Sequence, residues 1–380
     1  MQKEIINQKQ AIVLMVTFIM GSGTIVGTGD KSGQDIWIAL LIAMAGASII
    51  MAVYARIIKL FPGMDLFDLL DKLFGRILGK FIALIFTWYL FHVGLNLIRN
   101  TSEFIRIISL DATPQCVIAL FTGVLIAYAL RCGIEVIGRW VSIFFPVIIV
   151  ISITLSVIAV DMYDFDRLKP VLYEGLKPVL SDAFGIFAHP FAETVVFLGI
   201  AGCFQKQSNP HKIFNIALLI GGLYMLMLAV RTIALMGPVN KSLQMFPPYI
   251  TARIIKIGDF FQRIELINAV IIVTAVFTKV TVYMFSFAKG MSYLLKIDDY
   301  RTLSTPLVFF TAAYSIFLFD NALFMVKWAL NVFPYYAIPF EIIIPLLVWI
   351  AAEIKARNDK KTTSQNQSTN SSGSNAGMQC

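Results

Sequence analysis

Ten apolar runs follow one another along this 380-residue chain, near 10–29, 36–58, 81–102, 115–130, 139–160, 183–203, 213–236, 264–288, 305–325 and 334–354. Most are long enough, at about 20 residues, to cross a hydrocarbon core as helices, the shortest being 115–130. With 58% hydrophobic residues, only 14% charged and a mean hydropathy of +0.78, the chain lacks the polar surface of a soluble globular protein. The reading is an all-α polytopic membrane protein in a lipid bilayer, with residues 1–358 as one ten-helix transmembrane domain. Beyond it, 359–380 is a polar, low-complexity tail expected to be disordered.

An even number of spans puts both termini on one side. Lys and Arg are more numerous in the segments of that side, Arg56, Lys59, Arg76, Arg131, Lys206 and Lys355 among them, so both termini are expected to be cytoplasmic. The same placement accounts for the net charge of +8, which sits in loops and not on one helix face, so no nucleic-acid partner is expected. Cys116, Cys132, Cys203 and Cys380 show no CxxC spacing, and no paired histidines accompany them; neither a metal site nor a disulfide framework is indicated, and no cofactor is expected. The polar start, MQKEIINQKQ, leads into a spanning segment without a small-residue cleavage site, so no removable signal peptide is read.

Two spans are interrupted. In the sixth, FGIFAHPFAETVVFLGIAG over 184–202, Pro190 removes a backbone donor and clashes with the carbonyl of residue 186. Backbone freed near Ile186 to Phe191 survives at membrane depth only against protein or a cavity. In the first, Gly21, Gly23 and Gly27 fall within the run Met20-Gly21-Ser22-Gly23-Thr24-Ile25-Val26-Gly27, each weakening a helix by about 1 kcal/mol relative to alanine. Interruptions at corresponding positions of two five-helix halves, about 10–160 and 183–354, predict a 5+5 inverted repeat with its site where broken helices 1 and 6 meet. The blander readings stand beside this one: glycines as packing contacts, Pro190 as a simple kink. The glycine run also looks loosely like a dinucleotide motif, but no strand and helix alternation surrounds it.

Glu193 constrains the interior further, because an intramembrane carboxylate costs roughly 2.5–3.5 kcal/mol and needs a partner or a function. At about 1.5 Å per residue, Glu193 lies roughly 15 Å in from residue 183 and Lys279 roughly 22 Å in from residue 264, so the two could meet near the middle. Lys279 could instead snorkel to the inner face. Trp88, His92 and Asn96 recur every four residues and form one face of the third span, while Thr274, Thr278 and Lys279 supply hydroxyls and a cation from the eighth. The predicted ligand-binding set is therefore Gly21, Ser22, Gly23, Thr24, Gly27, Trp88, His92, Asn96, His189, Pro190, Phe191, Glu193, Thr274 and Thr278. Glu193 and Lys279 are assigned to ion or proton coupling. No nucleophile, base and orienting group assemble from the motif spacing, and there is no phosphate loop, so an enzyme is not expected.

Phe187-Ala188-His189-Pro190-Phe191-Ala192-Glu193 is similar to the broken sixth-helix motif of the amino acid–polyamine–organocation transporter superfamily, and Gly21-Ser22-Gly23-Thr24-Ile25 resembles its first-helix glycine motif. More closely, 1–358 resembles the B subunits of spore germinant receptors, the spore germination permease family. That resemblance rests on Gly133-Ile134-Glu135-Val136-Ile137 with Arg139 and Phe144-Phe145-Pro146, on Pro170-Val171-Leu172 with Gly175 and Pro178, and on Pro248-Tyr249 followed by Arg263-Ile264-Glu265 and Lys279. One departure is the stretch INAVIIVTAVF between that triplet and Lys279, where the family commonly carries a tryptophan.

The resemblance implies a nutrient sensor of the spore inner membrane that works with A and C subunits and binds a small molecule such as an amino acid. Unwound backbone at the two breaks would offer N–H groups to a carboxylate and C=O groups to an ammonium, which suits a zwitterion. A tethered ammonium at Lys279 could stand where related transporters hold a sodium ion. Two other readings remain open: an amino-acid/proton symporter with Glu193 or His189 as proton carrier, and a structural subunit that binds no nutrient.

Overall fold

The computed structural model describes residues 4–23, 29–255 and 264–359. Apolar residues distributed around whole helix circumferences dictate a helical bundle, and among the described residues no strand forms; one backbone bridge joins Ile6 to Phe204. The helices are α1 (Gln8–Gly23), α2 (Ile36–Leu60), α3 (Leu66–Ile108), α4 (Gln115–Cys132), α5 (Ile134–Ile158), α6 (Leu176–Ile186), α7 (Pro210–Ser242), α8 (Pro247–Ile254), α9 (Ile264–Leu295), α10 (Tyr300–Ser315), α11 (Ala322–Asn331) and α12 (Phe333–Ile338). From α6 the chain continues through a π-turn, Phe187–Phe191, into a 3-10 helix, Ala192–Cys203; α12 likewise passes a π-turn at Pro339–Ile343 and completes the span Phe333–Asp359.

Among the described residues, eight helices are long and apolar enough to cross a membrane. Two of the ten segments read from sequence fall short of that. α1 is described as far as Gly23, so of the break predicted over Met20 to Gly27 the backbone of Met20 to Gly23 is helical and the rest lies outside the described residues. The ninth segment, expected at 305–325, is α10 at Tyr300–Ser315. It stops there because a new helix is capped just beyond: the Asn321 side chain accepts from the Phe324 amide at 2.8 Å and starts α11. The third span is longer than expected, since Asp65 caps α3 and the helix carries a bend at Gly75 (φ 74°) that only glycine accommodates without strain. The tail from 360 onward lies outside the described residues.

α1 and α9 form the centre, between α3 and α7. Leu14, Met15, Val16, Phe18 and Ile19 of α1 are wholly buried, as are Ala275, Val276, Val280, Tyr283 and Phe285 of α9. α4, α5 and the last span turn Tyr128, Ile143, Val150 and Ile350 outward, an apolar surface that a bilayer covers and water would not. Close approach of α1 to α9 depends on Gly21: a Cβ there would lie 2.7 Å from the Ala275 carbonyl oxygen. Since backbone cannot yield as a flexible side chain can, Gly21→Ala is expected to lower stability by about 1–3 kcal/mol. A thermal midpoint equal to wild type in detergent would refute that close packing.

Glu4 and Ile6, where the described chain begins, anchor one face of the bundle. There Glu4 accepts the Ile134 amide (3.0 Å), the Tyr300 hydroxyl (2.7 Å) and the Arg301 guanidinium (2.5 Å). Ile6 is stitched between main-chain groups: its N–H donates to the Cys203 carbonyl (2.8 Å) and its carbonyl accepts from Gln205 (3.0 Å). Lys289 pairs with Asp65 at 2.9 Å, and Arg56 with Glu353 at 2.6 Å. On the opposite, distal face two buried aspartates organise the connections. Asp182 accepts the amides of Lys31 (3.0 Å) and Ser32 (2.8 Å) and the Ser32 hydroxyl (2.7 Å); Asp35 accepts the Leu172 amide at 3.0 and 3.1 Å. Lys241 donates to the Gly29 carbonyl and lies 3.6 Å from the exposed Asp30 carboxylate.

Candidate functional site

At the sixth-span break, His189 leaves helical geometry (φ −126°, ψ 102°) and the following Pro190 carries no amide proton. Freed carbonyls need other donors at membrane depth. Phe191's carbonyl accepts the Thr194 hydroxyl (2.7 Å), and Ala192's accepts the Tyr54 hydroxyl from α2 (3.2 Å). One turn beyond the break, Glu193 is wholly buried and receives the Lys279 ammonium of α9, itself wholly buried. The two residues thus meet as the spacing along their helices allows, and Lys279 does not snorkel. Its Nζ also sits over the Phe18 ring, 5.0 Å from the centroid, while His189 Nδ1 approaches Glu193 to 3.0 Å from the other side.

Above His189 a cavity of about 220 Å³ opens toward the distal face, lined by Asp30, Lys31, Asp182, Gly185, His189 and Asn331 among others. Its volume lies below the common range of ligand pockets, roughly 300–1,000 Å³. His189 is the joint between this water-accessible space and the buried ion pair, its side chain 22% exposed against 0% for Glu193.

Other predicted residues lie elsewhere. Trp88 is 55% exposed and faces outward, stacked on His92 with ring centroids 6.3 Å apart. His92 turns to the α11 and α12 aromatics, with centroids 5.2 Å from Trp328 and 4.9 Å from Tyr336. Asn96 is buried, but its amide donates back to the His92 carbonyl (2.8 Å). This face of α3 is therefore not brought to the Glu193–Lys279 pair. Thr278 is buried and donates to the Thr274 carbonyl (2.9 Å), so its proton is used within α9. Phe191 and Pro190 are buried packing residues. Gly21 and Gly23 are close contacts, the latter against the Met225 side chain, whose methyl would lie 2.6 Å from an added Cβ. Thr24, Gly27 and the side chain of Ser22 lie outside the described residues.

A second buried carboxyl, Glu341, was not among the predicted residues. It sits in the π-turn of the last span, 1% exposed, and its Oε1 accepts the Tyr89 hydroxyl of α3 at 2.7 Å. Its carbonyl accepts the Tyr54 hydroxyl, and the hydroxyls of Tyr89 and Tyr283 lie 3.5 Å apart. The signal that singled out Glu193 was present here as well: a carboxylate in an apolar span, between Pro339 and Pro345. Chemically, the assembly is a buried ionic and hydroxyl cluster under a wet vestibule, able to hold charge and protons near the break.

The solved structure of Mhp1, a nucleobase-cation-symport-1 family transporter in a closed conformation with bromovinylhydantoin bound, matches with a TM-score of 0.59 at 11% identity, over 88% of this chain and 78% of that one. MhsT in complex with L-phenylalanine matches with 0.58 at 13%, over 90% and 87%. These likenesses show that the chain shares the fold of those two proteins. In sequence, spore germination protein KB of Bacillus subtilis (strain 168) is 27% identical over 366 residues, covering 95% of this chain and 98% of that protein. The family model for spore germination proteins, Spore_permease, matches residues 5–325. A match over most of the chain, with a full-length relative of the same kind, makes this protein a member of the spore germination permease family.

Proposed function

We propose that the protein is the nutrient-sensing membrane subunit of a spore germinant receptor, and that it binds a small molecule of amino-acid chemistry at the break of the sixth span, between the segment that follows α1, α6 and α11. The observation that carries this reading is the distal cavity ending on His189 at the helix break, directly above the buried Glu193–Lys279 pair. Family membership supports a role in germination, and the L-phenylalanine complex of MhsT supports amino-acid chemistry for a site in this fold. In this reading the fold is a ten-helix inverted repeat, A and C subunits are the partners, the spore inner membrane is the location and both termini face the core. Occupancy would act by its differential affinity for two arrangements of the bundle.

Gly185 gives a clean test. It lines the cavity, and a Cβ placed there meets nothing within 4 Å, so Gly185→Leu fills the space without a backbone clash. Spores carrying this variant are expected to need at least about tenfold more nutrient for half-maximal germination, with receptor level unchanged by immunoblot. An unchanged response at normal receptor level would remove the cavity from the ligand path. A proton symporter is the second reading, favoured by His189 standing between the cavity and Glu193. Amino-acid accumulation by vesicles of the purified protein, driven by a proton gradient, would decide for it; a sensor accumulates none.

A further inference from the structure

Among the described residues, Glu341 is a buried carboxyl with no basic side chain in ion-pair contact. Lys279 is engaged with Glu193, which leaves two buried carboxyls and one ammonium in the cluster among the described residues. The groups that face Glu341 come from four elements: Tyr54 of α2, Tyr89 of α3, Glu193 beyond the break, and Lys279 with Tyr283 of α9. Tyr89 donates one hydrogen bond to Oε1, and that is far from the compensation a buried ionised carboxylate requires, which is a paired cation with its remaining lone pairs satisfied. A metal ion is a poor fit, since no group of three or more His, Cys, Asp or Glu side chains gathers among the described residues, and hard cations take about six oxygens.

We infer that Glu341 is a proton-binding site, its ligand a single H⁺ on Oε2 while Oε1 accepts from Tyr89. Binding is association alone: H⁺ adds to a carboxylate lone pair and no other bond breaks. Beyond Tyr89 the Tyr283 hydroxyl lies 3.5 Å away, so the site is continuous with a second exchangeable hydroxyl. This site does not depend on which nutrient is sensed. It places a pH-responsive charge in the π-turn of the last span, where protonation removes the negative charge that otherwise has to be held beside Glu193.

Infrared spectroscopy of the full-length protein in lipid nanodiscs tests this directly. At neutral pH a carboxylic-acid C=O band is expected that shifts on exchange into D₂O, disappears in Glu341→Gln and moves in frequency, without loss, in Tyr89→Phe. A purely structural Glu341 would show no such band. Absence of the band in wild type, or its persistence unchanged in folded Glu341→Gln, overturns the assignment. Should Glu341→Gln not fold, Tyr89→Phe decides: a shifted band upholds the site, and an unshifted band overturns it.

Discussion

Lys279→Met is expected to destabilise the folded protein by about 3–5 kcal/mol, because it strips the cation from a carboxylate with no exposure to solvent. Glu193→Gln alone should cost a similar amount, as it leaves the ammonium without its carboxylate. The double variant Glu193→Gln/Lys279→Met removes both charges together and is expected to recover most of the loss, since a buried pair replaced by neutral groups of similar volume is often close to neutral in stability. Thermal midpoints of the four proteins in detergent form a double-mutant cycle. A large coupling between the two substitutions is the expected result. Losses that simply add would mean that the pair is not a unit. The double variant also separates folding from function: stable protein that no longer responds to nutrient would place the charges in the signalling step.

The second large effect belongs to the distal face. Asp182→Ala leaves the amides of Lys31 and Ser32 and the Ser32 hydroxyl without their acceptor, with Ser32 5% exposed and Asp182 itself 5% exposed. At about 1–3 kcal/mol for each buried donor left unpaired, discounted for the partly exposed Lys31, a loss of about 2–5 kcal/mol is expected. Asp182→Asn keeps one acceptor oxygen and should lose less. Hydrogen exchange at the Lys31 and Ser32 amides reads the same interaction locally: protection should fall in Asp182→Ala. Unaltered protection would show that these amides are held by something else. Asp182 also lines the cavity, so under the proposed sensing function this variant is expected to raise the nutrient requirement as well.

How much of this was legible in the sequence follows from what each signal measures. Hydropathy counts apolar residues, so it located the spans and their order, yet it misjudged the ninth, where apolar residues continue past Ser315 into a separate capped helix. The cost of a buried charge is independent of neighbours, so Glu193 and Lys279 could be singled out and their meeting anticipated from helix rise alone. The same cost applied to Glu341, and applying it to the last span would have found the second carboxyl. Aromatic periodicity carries no such information in a membrane. Trp88 packs as comfortably against lipid as against a ligand, and four-residue spacing fixes only that Trp88, His92 and Asn96 share a face, not which way that face turns. Asp182 and Asp35 were invisible for another reason: their partners are main-chain amides more than 130 positions away, and no side-chain pattern encodes an amide.

The seam around Glu4 and Ile6 has a consequence for how the bundle responds to its medium. Two kinds of bond hold it. Glu4–Arg301 and Lys289–Asp65 are ionic and partly exposed, so added salt weakens them. The Ile6 bonds to Cys203 and Gln205 join main-chain groups that neither titrate nor attract counterions, and Ile6 is wholly buried. Added salt therefore loosens the seam without parting it. Separation there needs work done from within the bundle, so the seam keeps its main-chain core whatever the ionic medium and yields only to a movement of the helices it joins.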